Sequence, residues 1–337
     1  MVCIILHSMV HILWSSEGNT LVETQILPSG NEGKVFQEEL RNLDQKEYRI
    51  GLFRLIARLE NEQKVKITPS TYPQIAIKID TQRAPGLATS VNLLSSLIQF
   101  LEVRGYDEES VTLVTYELDE GMKKAFFERF SRYPILTHVD RTYFHPDWFH
   151  DSPMPPSMGD RARLFITHPQ NPETRKTEER KTLLPACLFL KDQFWINLAT
   201  PKDDHILGID GAITNVTLNA SSNSERFRED STMGPAAATE ILAIPEIWEK
   251  HLFSLMDLSK MQIADGPEFN AEFIEQKNAL LLCKNPVYLD YFTMETIRKE
   301  RKRLGLRDRD PLSCKLFLYA RELGLGNAFE SKLLETP

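Results

Sequence analysis

Alternation of apolar and polar positions is clearest in QIAIKID, residues 74–80. There Ile75, Ile77 and Ile79 are separated by Ala76 and Lys78, the period-two pattern of a β-strand. A Pro/Gly turn, TQRAPGLATS, leads into VNLLSSLIQFLEVRG, where Leu94, Leu97, Ile98 and Leu101 mark one helix face and Gly105 supplies a C-terminal stop. SVTLVTY, residues 110–116, reads as the next strand. Strand, helix and strand in this order predict a βαβ unit with parallel strands and a right-handed crossover. Ligands of such units gather at the carboxyl ends of the strands, which here are the segments 80–89 and 117–121.

Elsewhere the pattern is less regular. From 34 to 59, Phe36, Leu40, Leu43, Ile50, Phe53, Ile56 and Leu59 fall mostly at helical spacing and predict two amphipathic helices divided near 45–49. A helix over 120–132 and a short strand over 135–139 would continue the same sheet. Residues 143–181 hold six prolines and three of the eight histidines without a sustained period, and read as a long surface excursion. Order resumes in TLLPACLFLKDQFWINLATP, followed by helices over 236–241 and 247–253 and a strand over 251–258. NALLLCKNP reads as a buried strand and turn before a helix over 287–304, and a last helix stops at Gly324 and Gly326. No internal repeat is present. The expected fold class is α/β, a mainly parallel or mixed sheet flanked by helices. Its expected divisions are an apolar N-terminal segment and linker (1–33), a first α/β half (34–142), the excursion (143–181) and a second α/β half (182–330).

Composition narrows the function classes. The 337 residues are 42% hydrophobic and 26% charged, enough to bury a large core. A formal charge of −8 gives no sign of a nucleic-acid partner; the basic stretch IRKERKRLGLRDR is interrupted by acids and reads as a solvated helix face. Cys3, Cys187, Cys283 and Cys314 are too scattered for a Cys-ligated zinc or iron–sulfur site, and Cys187 and Cys283 sit in apolar runs that suit buried thiols. The opening MVCIILHSMVHILW is like the apolar centre of a signal peptide but lacks a basic leader, and it is too short to span a bilayer. We expect a packed strand there and a cytoplasmic protein, with export as the alternative. No other stretch is long and apolar enough to be a transmembrane helix, and oligomeric state is not fixed by sequence.

Candidate chemistry concentrates in PKDDHILGIDGAITN. His205 follows Lys202, Asp203 and Asp204, so its imidazole could serve as a general base, or stand as an exposed loop residue. Asp80, Asp257 and Asp290 each lie at or just after an expected strand. Converging carboxylates there would suit a divalent cation such as Mg²⁺, whereas turn formation and helix capping are the structural alternatives. Gly208 and Gly211 could let backbone amides approach an anion or simply serve turn geometry. In the excursion, His145, Asp147 and His150 allow a metal site, but Trp148 and Phe149 as anchors to the core are the preferred reading.

The order of these pieces resembles the bacterial and archaeal DUF362 family. IAIKIDTQRAPGLATSVNLLSSLIQFLEVRGYDEESVTLVTYE is similar to its amino-terminal strand–loop–helix–strand motif, and INLATPKDDHILGIDGAITN to its central signature. LFSLMDLSKMQIADGP, LLCKNPVYLDYFTMETI and YARELGLGN resemble three later segments, so the likeness spans residues 72–327. Lys78, His205, Gly208, Asn215 and Asp290 match the pattern. Asp80 stands in place of Asn, Ser90 where His is common, Thr214 where Lys is expected, and Asn285-Pro286 in place of Asp-Pro. The family is largely uncharacterised. The resemblance implies a cleft between the loops after Ile79, after Thr200 and near Asp290, holding a small polar or anionic ligand. In an enzyme, His205 would move a proton and Lys78 or Lys202 would stabilise negative charge. Asp80, Asp257 and Asp290 would then orient substrate or cation, and Gly208, Gly211 and Asn215 would hold a cofactor. The departures equally suit a non-catalytic binding or interaction protein on the same fold.

Overall fold

Asp44 starts a helix where the hydrophobic spacing alone suggests two. A computed structural model describes residues 33–118, 122, 126 and 128–335 of the chain. It begins with β1 (Lys34–Glu39), and α1 (Gln45–Gln63) follows, its first turn capped by the Asp44 carboxylate accepting from the Glu47 amide at 2.8 Å. β2 (Gln74–Ile79), α2 (Val91–Val103), β3 (Val111–Val114) and β4 (Ile135–Leu136) come next. β5 (Phe144–Asp151), α3 (Met158–Thr167), α4 (Pro172–Arg180) and β6 (Lys181–Pro185) form the excursion. β7 (Gln193–Ala199), β8 (Lys202–Asp204), β9 (Gly208–Asp210), α5 (Ala212–Val216), α6 (Met233–Leu242) and α7 (Pro245–Glu249) lead to β10 (His251–Asp257). β11 (Met261–Gln262), β12 (Ile274–Glu275), β13 (Ala279–Cys283), α8 (Pro286–Arg303), α9 (Lys315–Glu322) and β14 (Lys332–Glu335) complete the order.

The main sheet runs β14-β1-β13-β10-β7-β2-β3-β4. β13 is antiparallel to both of its neighbours and every other adjacent pair is parallel, so β13 alone among these strands runs against the rest. The fold is therefore α/β with a mixed sheet, and the parallel β2–α2–β3 unit is present. Strands from both halves of the chain share this sheet. A smaller sheet, β12-β11-β8-β9, lies beyond the ends of β7 and β10.

Strand alternation divides the core. Ile75, Ile77 and Ile79 pack with Leu52, Leu55, Leu94 and Leu97 from α1 and α2 on one face. Ala76, Trp195 and Met256 pack with Ile213, Ala238, Leu289 and Phe317 on the other. Each fully buried isoleucine contributes roughly 1.5–3 kcal/mol of transfer free energy, which holds the strand register and so fixes which polar side chains share the second face.

Two expectations are corrected, at 34–39 and at 247–253. Residues 34–39 are a strand, not a helix: pairing with β13 and β14 buries Gln37 and Glu38, and these polar residues hide the strand pattern from a reading of hydrophobicity. Glu38 is buried but receives a 2.8 Å hydrogen bond from Arg54 one helix face away. The excursion is ordered, with β5 and β6 antiparallel and two short helices between them. The helix expected over 247–253 ends at Glu249, where β10 takes over. Trp148 stacks on Phe189 at 4.1 Å, anchoring the excursion to the core. The strand expected at 1–14 lies outside the described residues, as do several positions of the helix expected over 120–132.

Candidate functional site

β2 and β7 run in parallel with Lys78 beside Asn197, and β10 sets Ser254 beside Asn197 in turn. Alternation sends these polar side chains to the same face, under α5. There they form a continuous chain. Lys78 Nζ donates to Asn215 Oδ1 at 3.0 Å, Asn215 Nδ2 donates to Asn197 Oδ1 at 2.7 Å, and Asn197 Nδ2 donates to Ser254 Oγ at 3.0 Å. His251 Nε2 lies 3.0 Å from Ser254 Oγ and its ring stacks on Trp195. All of these residues are buried. Burial lowers the Lys78 ammonium to about 8, against the attraction of Asp80, and lowers His251 to about 3. Asn215 and Asn219, each in a sequence that fits the glycosylation pattern, are likewise enclosed.

A second cluster begins where β7 turns into β8. Lys202 Nζ donates to Asp80 Oδ2 at 2.5 Å and lies 3.7 Å from Asp210 Oδ1, with all three residues almost fully buried. Thr200 Oγ1 also donates to Asp80 at 2.5 Å. Asp210 Oδ1 accepts from Thr214 Oγ1 at 2.5 Å and Asn219 Nδ2 at 2.8 Å, and Arg228 stands 3.6 Å from Oδ2. Burial pushes the Asp210 carboxyl up, but Lys202 and then Arg228 outweigh it and hold it below the ordinary carboxylate range. Thr214, where the family resemblance expects Lys, thus serves as a hydroxyl donor in this cluster. Lys202 is the cation that Asp80 and Asp210 share.

Asp290, on the second turn of α8, accepts from the amides of Ala212 at 2.5 Å and Ile213 at 2.8 Å. It ties α8 to α5. Burial drives its carboxyl up to about 7, opposed by those two amides. Gly211 is required for this approach, because a Cβ there would overlap Asp290 Oδ1 and lie 3.0 Å from Asp290 Cγ. Gly208 adopts φ +91° and faces Cys314 Sγ. The glycines therefore serve chain packing in this structure.

Asp80, Asp257 and Asp290 do not converge as ligands. Asp80 is paired with Lys202, Asp290 binds amides, and Asp257 Oδ2 accepts from Tyr48 Oη at 2.8 Å while its Oδ1 accepts from the Ser259 amide at 2.9 Å. Among the described residues, no group of three or more His, Cys, Asp or Glu is placed to hold a metal. His205 is exposed and does not reach the Lys78 cluster; its Nδ1 donates to the Gly266 carbonyl at 2.9 Å, and its ring borders a separate groove beside Arg309. The excursion histidines also part company, with His150 Nε2 2.8 Å from Glu240 and His145 beside Asp147.

The carboxyl ends of β2, β7 and β10 do border an open cavity of about 450 Å³. Its polar wall comprises Tyr48, Thr89, Ser90, Thr200, Asp257 and Ser259, with Lys260 at the rim; Leu43, Val91, Met122 and Phe126 make the apolar wall. Burial raises the Asp257 carboxyl above its ordinary range, against its hydrogen bonds from Ser259 and Tyr48. The segment after Ile79 and Thr200 itself thus line this cavity, while Asp290 belongs to the interior. Tyr48 was not legible as a site residue because it lies on α1, far from the strand ends in sequence; Ser90 carried a signal only as the position where the resembled family commonly has His.

No family model matches the chain, and no curated protein matches it. Among solved structures, a protein from Thermotoga maritima superimposes with a TM-score of 0.41 at 14% identity. The match covers 79% of this chain and 60% of that one, so the chain spans less than two thirds of the neighbour's length.

Proposed function

We propose that the chain is a divergent DUF362-like protein that binds a small polar metabolite, without using the motif residues as a catalytic set. The carrying observation is the cavity at the carboxyl ends of β2, β7 and β10, lined on one side by hydroxyls and the Asp257 carboxyl and on the other by apolar side chains. Such a lining suits a compact molecule with hydroxyl or amino groups at one end and an apolar body. Lys78, Lys202 and Asp290 support this reading in another way: each is enclosed and has protein partners, so they stabilise the fold beneath the cleft.

A second reading, acid–base catalysis in the same cleft, is favoured by one observation. Asp257 is a cleft carboxyl with a raised proton affinity and a Tyr48 hydroxyl bound to it. Native mass spectrometry of protein isolated from its own cell, followed by thermal-shift titration with the released molecule, tests the binding reading. Asp257→Asn and Lys260→Gln should each weaken a cleft ligand while leaving circular dichroism unchanged. Retained affinity in both variants refutes cleft binding. Conversion of the ligand by the wild type but not by Asp257→Asn selects the catalytic reading.

A further inference from the structure

His205, the sequence candidate that the interior clusters leave out, borders a groove of about 460 Å³ on another part of the molecule. One wall is the turn between β8 and β9, and the other is the segment from Arg307 to Lys315 that joins α8 to α9. The charge balance in these walls is uneven. Asp203 is almost fully buried, and its Oδ1 stands 2.9 Å from Arg309 Nη1 and 3.4 Å from Arg301 Nη1. Asp308 pairs with Arg298 at 2.8 Å and with Lys302 at 3.5 Å, and Asp310 pairs with Arg298 at 3.1 Å. The acids of the groove are therefore already matched.

Two cations are left. Among the described residues the Arg307 guanidinium has no hydrogen-bond or ion-pair partner. Lys315 Nζ donates to Thr232 Oγ1 at 2.7 Å; among the described residues it forms no ion pair, and Asp230 feels its charge at longer range. His205, whose Nδ1–H is committed to the Gly266 carbonyl, borders the groove as a neutral wall. Asp203 holds Arg301 and Arg309 in the wall, so these guanidiniums are positioned before any ligand arrives.

We propose that this groove is an anion site for the phosphoryl group of a small phosphate monoester, separate from the cleft at the strand ends. Arg307 and Lys315 supply the unmatched charge, Arg309 supplies a further N–H donor, and the cavity leaves room for the esterified body. A local basic groove on a chain of net charge −8 also concentrates the anion where the rest of the surface repels it.

The full chain is titrated with phenyl phosphate, phenol and inorganic phosphate at constant ionic strength, by calorimetry and by phosphorus NMR. Saturable binding of phenyl phosphate at millimolar concentration or below, with none of phenol, is expected. Arg307→Gln combined with Lys315→Gln should weaken it at least about tenfold, the loss of two charge-assisted contacts, with an unchanged thermal transition. Lys260→Gln, at the rim of the other cleft, should leave it unchanged. Absence of saturation, or equal affinity in the double variant, overturns the site; equal weakening by Lys260→Gln moves the anion to the strand-end cleft and overturns it as well.

Discussion

Replacing Lys202 with methionine tests how the buried charge cluster is held. At 2.5 Å from Asp80 and 3.7 Å from Asp210, Lys202 attracts the two carboxylates by roughly 7 and 4 kcal/mol at an effective dielectric of about 20. Much of that gross attraction offsets the desolvation of the ammonium itself. Asp80 also retains Thr200, and Asp210 retains Thr214, Asn219 and Arg228. The expected net loss is about 3–5 kcal/mol, the usual cost of removing one partner from a buried pair. With an unfolding entropy of about 2.1 cal/mol/K per residue over 337 residues, the transition should fall by about 4–7 °C. Urea unfolding followed by the fluorescence of buried Trp195 and by circular dichroism measures it. Lys202 is the foremost influence lowering Asp210 against its burial, and in Lys202→Met its loss lifts that carboxyl in the folded state, so the deficit is largest at neutral pH and shrinks as acid protonates Asp210. Asp80→Asn in the same background should restore at least about 1 kcal/mol by removing one unpaired charge. A deficit below about 1 kcal/mol, or one that does not narrow with acid, would show that Lys202 is not the cation that compensates these carboxylates.

Two further substitutions probe the same interior. Gly211→Ala should cost about 1–3 kcal/mol, because the added methyl overlaps Asp290 Oδ1 and forces α8 away from α5; a thermal transition equal to wild type refutes the close approach. Lys78 is held at about 8 when folded against its model-compound value of 10.5. The unfolded chain therefore binds more protons between those values, and the Lys78 contribution to stability rises with pH across that window and is absent below it. The unfolding free energy of wild type relative to Lys78→Met should gain as much as about 3 kcal/mol over that interval, measured by urea unfolding at matched pH; a flat difference means that Lys78 keeps its proton in the fold.

Local patterning explains why the β2–α2–β3 unit was legible. Its isoleucines alternate, its helix carries a broad buried apolar face, and Gly105 closes the helix at φ +94°. The same logic failed at 34–39. Phe36, Leu40 and Leu43 mimic a helical period there, and the partners that make the segment a strand, β13 and β14, come more than two hundred residues later. The family-like motif was legible as a set of polar residues, but not the work they do. Lys78 and Asn215 meet because β2 passes beneath α5, and Lys202 meets Asp80 because β8 folds back beside the end of β2.

Sequence by itself determined the α/β class, the parallel unit and the group of polar residues worth following, since each depends on periodicity or short-range chemistry within a few turns of chain. Only the tertiary structure decided that Lys78, Lys202 and Asp290 are enclosed, that His205 stands apart from them, and that Tyr48, Ser90 and Asp257 face one cavity. The physical reason is that burial and charge compensation are properties of distant segments brought together: the side chain of Lys202 is the same in either place, and what makes it a structural cation is the pair of carboxylates that the fold sets around it.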